Sequence, residues 1–232
     1  MTSLEIDKQH IWHPLTQHKT ALAPLHIKTA KKALLFDADG KQYIDAIASW
    51  YTAVYGHCNP YIAKKIKKQL DLLNHIVFTG FTHDPAITLS EKLVSILPTN
   101  QTKFFFNDNG STAVEAALKM AFQFFHNKNE QRHTLIAFEN AFHGDTFAAM
   151  STSGLSVYNG AFKPLLLDVA RIPVPTPNTL SEVLVKLNSI LNATPCAAFI
   201  YEPLIQGAAG MKMYAPEMLD PILAMCKSKQ VL

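Results

Sequence analysis

The sequence predicts an α/β fold built on a doubly wound, mostly parallel sheet. Two observations predict it. From residue 103 onward, short apolar runs alternate with amphipathic helical segments, which is the pattern of strand–helix–strand units. The chain of 232 residues is also 48% hydrophobic and 17% charged, so it is not disordered as a whole and is long enough to bury a core.

The first part of the chain is expected to be turn-rich and extended. Pro14 and Pro24 interrupt any helix there. Asp39 and Gly40 form a hairpin signal between the apolar residues 34–36 and 43–44. We therefore predict a small antiparallel hairpin that contributes little core by itself.

Two helices are predicted next. The first begins near residue 61, and four apolar side chains share one of its faces: Ile62, Ile66, Leu70 and Leu73. Lysines cover the opposite face, which we interpret as solvated. In the second helix, Asp84 and Pro85 have the form of an N-cap and a first-turn proline. Three apolar side chains are expected to fix this helix to a core: Ile87, Leu93 and Ile96.

Strands are predicted at residues 103–107, 133–139 and 194–202. A helix over residues 112–125 should follow the first strand, and Thr112 and Glu115 have the spacing of a capping box. An apolar helical pattern over residues 180–191 precedes the third strand. The three prolines within residues 171–177 predict an extended connection.

Composition excludes several classes of partner. With 21 basic and 18 acidic residues the net charge is +3, too small to favour nucleic acid or an anionic membrane. The sequence has no long apolar run and no secretory signal at residues 1–10, so we expect a cytoplasmic protein without a membrane partner. Cys58, Cys196 and Cys226 are expected to be reduced packing residues.

Common catalytic and cofactor motifs are missing from the sequence. The glycines do not have dinucleotide-fingerprint spacing, and neither a Walker loop, a G-x-S-x-G elbow nor an H-E-x-x-H helix occurs. His10 and His13 have no second pair at ligand spacing, so no metal site is predicted.

The first positive signal is N-D-N-G-S-T at residues 107–112, where a predicted strand ends and a helix begins. Glycine permits a close approach of the backbone to a ligand. The first turn of a helix offers free N–H groups and the positive end of its dipole, which together suit a phosphate. An ordinary capped turn explains the same residues.

Two further motifs follow the later predicted strands. In A-F-H-G-D-T at residues 141–146, Phe142 could lie over a planar cofactor, or simply pack beside a turn glycine. In Y-E-P-L-I-Q-G at residues 201–207, the strand delivers the carboxylate of Glu202 to the same edge, where a structural salt bridge explains it equally well.

Taken together, these motifs give a phosphate site, an aromatic ring and an acidic strand end at successive strands. The chain resembles the N-terminal part of the class III pyridoxal-phosphate aminotransferases of fold type I. The resemblance implies part of that fold, with residues 1–55 as the N-terminal segment of its small domain and residues 56–232 as the first part of its large, cofactor-binding domain.

The resemblance also implies roles for individual residues, with pyridoxal 5′-phosphate as cofactor. The implied cofactor-binding residues are Gly110, Ser111, Phe142, His143 and Glu202. The implied substrate-binding residues are Trp50, Phe142 and Asp145, with Asp145 near the amino end of the substrate. Phe142 stands where many members have tyrosine, so a hydroxyl is missing at the ring position.

H-I-W-H-P at residues 10–14 and the Ser49-Trp50 pair resemble the biotin-pathway branch of the class. That branch implies amino transfer onto 8-amino-7-oxononanoate, giving 7,8-diaminononanoate, with S-adenosylmethionine as the expected donor. Leu15 replaces an aromatic residue found in many members and leaves the donor open. Another class III aminotransferase, acting on an ω-amino acid, remains an alternative.

The family's Schiff-base lysine and the acid on the pyridine nitrogen follow the E-P-x-x-Q-G strand. No lysine in this chain has the surrounding residues, so the catalytic residues stay unassigned. We expect an incomplete portion of a homodimeric enzyme, inactive alone, and a non-catalytic module is the alternative from another class. Because later strands of that fold separate the early ones, the strands at residues 103–107, 133–139 and near Tyr201 are expected to face gaps.

Overall fold

The computed structural model describes residues 1–156 and 159–232. The chain forms two compact units, Met1–Thr102 and Lys103–Leu232. These units are groups of mutual contacts and do not test the predicted domains 1–55 and 56–232, which stay a prediction. Within the described residues, no helix combines the length and apolar character that a membrane crossing requires.

The first unit contains a small antiparallel sheet of strand order β1-β2-β3. Its elements are α1 (Ser3–His10), β1 (Ile27–Lys31), β2 (Leu34–Asp37), β3 (Gln42–Ile44), α2 (Ala48–Tyr51), α3 (Pro60–Leu70) and α4 (Asp84–Val94). The predicted hairpin is confirmed, because Leu35 pairs with Tyr43 across β2 and β3. Gly40 has a φ of +81° at the turn, which glycine adopts readily.

The helices α3 and α4 both begin with a side-chain N-cap, and the predicted cap of α4 needs correction. Asn59 caps α3 by accepting from the N–H groups of Tyr61 and Ile62. Asp84 was predicted to cap α4, but α4 already begins at Asp84. His83 is the cap, and its Nδ1 accepts from the Ala86 N–H at 3.3 Å. Because His83 precedes Asp84, its imidazole can accept from the Ala86 N–H in the first turn of the helix.

The first unit has almost no interior. Among residues 1–102, all of which the structure describes, Ala86 is the single buried residue. The prediction that Ile87 and Ile96 fix α4 to a core is wrong, because their side chains are 53% and 77% exposed. Ile66, on the apolar face of α3, is likewise 55% exposed. The helical pattern was interpreted correctly, but this unit supplies no layer that covers the apolar faces.

The second unit contains a parallel sheet of strand order β5-β4-β6, with helices packed on both faces. Its helices and strands are α5 (Gly110–Asn127), β4 (Thr134–Phe138), α6 (Phe147–Thr152), β5 (Val169–Ile172), α7 (Leu180–Ala193), β6 (Cys196–Ile200), β7 (Ile205–Gln206), β8 (Lys212–Met213) and α8 (Asp220–Ser228). Short 3-10 helices lie at Gly160–Leu165 and Pro216–Met218. The predicted doubly wound α/β arrangement is confirmed.

Three strand predictions need correction. Residues 103–107, which the structure describes in full, form no strand. Nor does β4 face a gap, because β5 and β6 pair with its two edges. The predicted connection 171–177 is extended only after Ile172, since Val169–Ile172 forms β5 before the first proline of that stretch. Residues 169–172 form a strand because they pair with one edge of β4, and the local sequence pattern does not reveal that partner.

Burial on β4 alternates between the two faces of the sheet. Leu135 and Ala137 belong to the cluster that includes Phe125 of α5. Ile136 and Phe138 belong to the cluster on the other face, which includes Leu187, Ile222 and Phe199 on α7, α8 and β6. A strand whose successive side chains are all buried is typical of a sheet covered on both faces.

Arg132 joins distant parts of the second unit. Its guanidinium lies 4.4 Å from the centre of the Phe125 ring. The Nη1 atom donates to the carbonyl oxygens of Lys229 at 2.9 Å and Cys196 at 3.3 Å. One side chain thus links the end of α5, the start of β6 and the turn after α8.

The cysteines only partly follow the sequence prediction. Cys196 and Cys226 are buried, as expected for packing residues, and burial raises the pKa of the Cys226 thiol to about 11. Cys58 is exposed, so its assignment as a packing residue is wrong. Cys58 has a left-handed backbone, with φ of 52°, and lies in the unit that has almost no core.

Candidate functional site

The phosphate motif lies at the start of α5. Asn109 is the N-cap, and its Oδ1 accepts from the Thr112 N–H at 3.0 Å. The predicted capping box of Thr112 and Glu115 is therefore wrong. The N-cap is Asn109, which lies three residues before Thr112 and accepts from its N–H. The N–H groups of Gly110 and Ser111 are left without a partner inside the helix, at the positive end of its dipole.

The space beside Gly110 is open. A Cβ atom built on Gly110 would meet no heavy atom within 4 Å in the described chain. A cleft of about 550 Å³ lies here, lined by Asn109, Gly110, Ser111, Val114, Phe142, His143 and Gly144. The first two motifs predicted from the sequence therefore meet at one concave surface.

Gly144 brings the second motif against the first. It has a φ of +132°, and an added Cβ would lie 2.4 Å from the Ser111 Oγ. That hydroxyl accepts from the Asp145 N–H at 3.1 Å. Any other residue at position 144 would displace Ser111 or the turn, so the glycine fixes the distance between the two loops.

Glu115 has a role that the sequence did not reveal. Its Oε2 accepts from the Thr146 hydroxyl at 2.6 Å and from the N–H groups of Ala148 and Ala149, each at 3.2 Å. The carboxylate of α5 thus caps the start of α6, more than thirty residues away. No local spacing signals such a contact, because the partner depends on how the helices pack.

Glu202 holds two loops together. Its Oε1 accepts from the Phe142 N–H at 2.9 Å, and its Oε2 accepts from the Gly207 N–H at 2.8 Å. The sequence left open a structural salt bridge for Glu202. The carboxylate instead accepts hydrogen bonds from two backbone N–H groups. The carboxylate fixes the backbone of Phe142, while the ring of Phe142 remains 48% exposed.

His143 presents an unpaired nitrogen. Its Nε2 is buried and has no hydrogen-bond partner within the described part of the chain. Burial lowers the pKa of His143, although the charge of Glu202 opposes this shift. Its backbone N–H donates to the Ser153 Oγ at 2.9 Å, and Arg171 donates to the Ser153 carbonyl at 2.8 Å.

The predicted substrate residues belong to two different units. Asp145 is exposed and lies in the turn held by Ser111. Trp50 lies in the first unit, on the left-handed turn α2, and is 68% exposed. The roles proposed for Trp50, Phe142 and Asp145 toward a substrate, and those of the cofactor residues, stay predictions.

The residues of this cleft fit a phosphorylated planar cofactor. Gly110 and Ser111 offer two N–H groups at a helix N-terminus, beside a position where even a methyl group would find empty space. The exposed ring of Phe142 and the unpaired Nε2 of His143 add a flat surface and a polar contact. Phosphate, ring and polar substituent can therefore be held by neighbouring groups.

Comparison with known proteins gives a family. The aminotransferase class-III family matches residues 16–232. The chain is 42% identical over 223 residues to the adenosylmethionine-8-amino-7-oxononanoate aminotransferase of Synechococcus elongatus, covering 93% of this chain and 53% of that protein. It is 34% identical to the Helicobacter pylori protein of the same name, with 97% and 53% covered. The chain spans about half the length of these curated relatives.

Solved structures agree in fold. The adenosylmethionine-8-amino-7-oxononanoate aminotransferase of Methanocaldococcus jannaschii matches with a TM-score of 0.90 and 34% identity, over 98% of this chain and 52% of that one. An omega transaminase of Pseudomonas jessenii, solved in complex with PMP, matches with a TM-score of 0.92 and 27% identity, over 100% and 55%.

Proposed function

Since the chain belongs to the class III aminotransferases, we propose that the complete protein transfers an amino group onto 8-amino-7-oxononanoate, giving 7,8-diaminononanoate for biotin synthesis. Class III aminotransferases use pyridoxal phosphate as cofactor. The observation that carries the proposal is the identity of 42% to a relative named for this reaction, over 93% of the chain.

This chain supplies the phosphate side of the cofactor site. Gly110 and Ser111 bind the phosphate with backbone N–H groups, and Phe142 stacks on the ring. Glu202 holds the backbone of Phe142, and Ser111 holds the turn at Asp145. When bound, the cofactor carries the amino group from the donor to the acceptor.

The substrate end of the proposal rests on Trp50 and Asp145. Trp50 packs against the aliphatic chain of the oxononanoate, and Asp145 lies near its amino end. The complete protein works as a cytoplasmic homodimer, with S-adenosylmethionine as donor. The names of the relatives support the acceptor and the donor.

An assay of the complete protein tests the function. Loaded with pyridoxal phosphate, it should form 7,8-diaminononanoate from 8-amino-7-oxononanoate and S-adenosylmethionine, measured by mass spectrometry. Repeating the assay with lysine or another amine in place of S-adenosylmethionine shows which compound donates the amino group. Formation of no diaminononanoate with any donor would contradict the proposal.

A second candidate is an ω-amino-acid aminotransferase, favoured by the TM-score of 0.92 to the Pseudomonas jessenii omega transaminase. Amination of pyruvate or 2-oxoglutarate without amination of the oxononanoate would favour this candidate. A non-catalytic protein, suggested by the unassigned lysine, would bind the cofactor and aminate none of these acceptors.

We expect Gly110→Val to weaken binding of pyridoxal phosphate in the complete protein by about ten- to hundredfold. The valine side chain would occupy the space beside the backbone N–H, and losing a hydrogen bond to the charged phosphate costs about 1.5–3 kcal/mol. The fold should be little affected, since the space beside Gly110 is open. A titration of cofactor absorbance and a thermal melt measure the two effects. Gly160→Val, at another glycine with open space, is the matched control. An unchanged affinity in Gly110→Val would contradict the phosphate assignment.

Trp50→Ala should raise the KM for the oxononanoate by about tenfold. Contact between the indole and an aliphatic chain removes apolar surface from water, which contributes about 1.5 kcal/mol to substrate binding. The melting temperature should hardly change, since Trp50 is 68% exposed. Steady-state kinetics and a melt measure both. Val185→Ala, an exposed apolar truncation on α7, is the control. A large stability loss with unchanged KM would show that Trp50 is a packing residue.

A further inference from the structure

The turn that carries Trp50 has a left-handed backbone. Ala48, Ser49, Trp50 and Tyr51 have φ values of 47°, 46°, 59° and 69°, and none of them is glycine. Side chains on a left-handed backbone crowd the following carbonyl, so such a turn persists only when its surroundings hold it. The first unit has almost no core to do so, and the support must come from polar contacts.

Those contacts converge on one carboxylate. The Asp45 Oδ2 accepts from the Ser49 hydroxyl at 2.8 Å and lies 2.7 Å from the His57 Nε2. The Asp45 side chain is 6% exposed and that of His57 18%, in a unit whose other side chains are mostly open to solvent. Hydrogen bonds from the Ser49 backbone, from His57 and from the Ser49 hydroxyl lower the pKa of Asp45 to about 2. The carboxylate is therefore ionised at neutral pH.

The ends of this network are fixed to the small sheet. The Asp45 N–H donates to the Ala33 carbonyl at 2.9 Å. His57 and Lys32 exchange two backbone hydrogen bonds, of 2.8 and 3.1 Å. Gly56, with a φ of +83°, makes this approach possible, because its added Cβ would lie 3.1 Å from the Lys32 Cα. Asp45 and His57 thus form a bracket between the sheet and the turn.

We propose that Asp45 and His57 are positioning residues, which set the orientation of Trp50 by holding α2 in its left-handed conformation through Ser49. Neither residue is assigned a contact with substrate or cofactor. The inference rests on the proposed function only in that Trp50 is taken to contact the substrate. The effect of the bracket on Trp50 itself is independent of the reaction.

The competing explanation is that backbone hydrogen bonds alone maintain the turn. The Tyr51 N–H donates to the Ile47 carbonyl and the Ala53 N–H to the Ala48 carbonyl, each at 2.9 Å. These bonds fix the ends of the turn but contact neither the Ser49 hydroxyl nor the side chain of Trp50. In that case, removing the Asp45 carboxylate would leave Trp50 unchanged.

The first test observes Trp50 directly. The complete protein is labelled with 5-fluorotryptophan, and the Trp50 resonance is assigned from its loss in Trp50→Phe. In Asp45→Ala the resonance should shift and broaden, as expected when a fixed side chain exchanges between conformers. Asp37→Ala is the matched control, because Asp37 also accepts several bonds in the same sheet, from Asp39, Lys41 and Tyr43. An unchanged resonance in Asp45→Ala, or the same change in Asp37→Ala, would overturn the proposal.

The second test is a double-mutant cycle on the KM for the oxononanoate. Asp45→Ala should raise KM about tenfold with little change in kcat, because misplacing a binding group weakens binding at that magnitude. In a Trp50→Ala background it should add nothing further, since the effect passes through Trp50. An additive increase in KM would instead show a general structural role and overturn the proposal.

A rescue variant tests the backbone step. Ala48→Gly, combined with Asp45→Ala, should restore the Trp50 resonance at least in part, because glycine adopts positive φ without steric cost. Absence of any rescue would contradict transmission through the turn. If Asp45→Ala does not fold, Asp45→Asn and His57→Gln carry the same comparisons. A protein that never aminates the oxononanoate would refute the proposed function, while the resonances would still decide this inference.

Discussion

Gly144→Ala should abolish detectable cofactor binding in the complete protein and lower its free energy of unfolding. The new Cβ would lie 2.4 Å from the Ser111 Oγ and 2.9 Å from the Ser111 Cα, so the backbone at the proposed phosphate site must move. Crowding of this kind costs about 1–3 kcal/mol. The φ of +132° adds a conformational cost of about 1–3 kcal/mol for a residue with a side chain.

Cofactor titration and chemical denaturation measure these two losses. Gly160→Ala is the control, because a Cβ at Gly160 meets nothing within 4 Å and its backbone is not left-handed. The loss of affinity should exceed the loss of stability, since Ser111 belongs to the proposed phosphate site. Normal affinity in Gly144→Ala would mean that the two loops are not fitted to each other as described.

A polypeptide of residues 1–232 alone should lose its first 102 residues to thermolysin about a hundredfold faster than the remainder. Segments with few buried contacts open at almost no free-energy cost, whereas a packed core opens only with global unfolding. The first unit has the single buried residue Ala86, while the second has apolar clusters on both faces of its sheet. The exposed faces of α3 and α4 should also bind an apolar dye and promote aggregation.

Mass spectrometry of the fragments over time gives the two rates. Leu187→Ala, in the core of the second unit, is a useful control, because it should cost about 2–5 kcal/mol and speed cleavage of residues 103–232 only. Equal protection of both units would contradict the difference in burial between them.

Local signals explain what the sequence predicted well. The hairpin at Gly40, the helix Pro60–Leu70 and the buried run of β4 depend on turn chemistry, periodicity and continuous apolar character. Phe142 follows β4, as the rule that ligands bind at the carboxyl ends of parallel strands predicts, and it lines the same cleft as the helix start at Gly110. These features need no knowledge of distant partners.

What was missed depends on contacts between distant residues. Glu115 was interpreted within its own helix but caps α6. Residues 103–107 have the composition of a strand but form none, because strand formation depends on pairing that composition alone does not reveal. The left-handed turn at Trp50 contains no glycine, so its only sequence trace is the polar pair Asp45 and His57, which no local rule connects.

The hydrogen bonds of Arg132 set the order in which parts of the second unit can come together during synthesis. Its hydrogen bond to the Lys229 carbonyl spans 97 residues, and β6, its other partner, is also made late. At a synthesis rate of about 5–20 residues per second, Arg132 is synthesised about 5 to 20 seconds before Lys229. At the start of that interval neither of the strands that pair with β4 has been synthesised. The contacts of Arg132 with β6 and with the turn after α8 can therefore form only after almost the whole of the second unit has been synthesised.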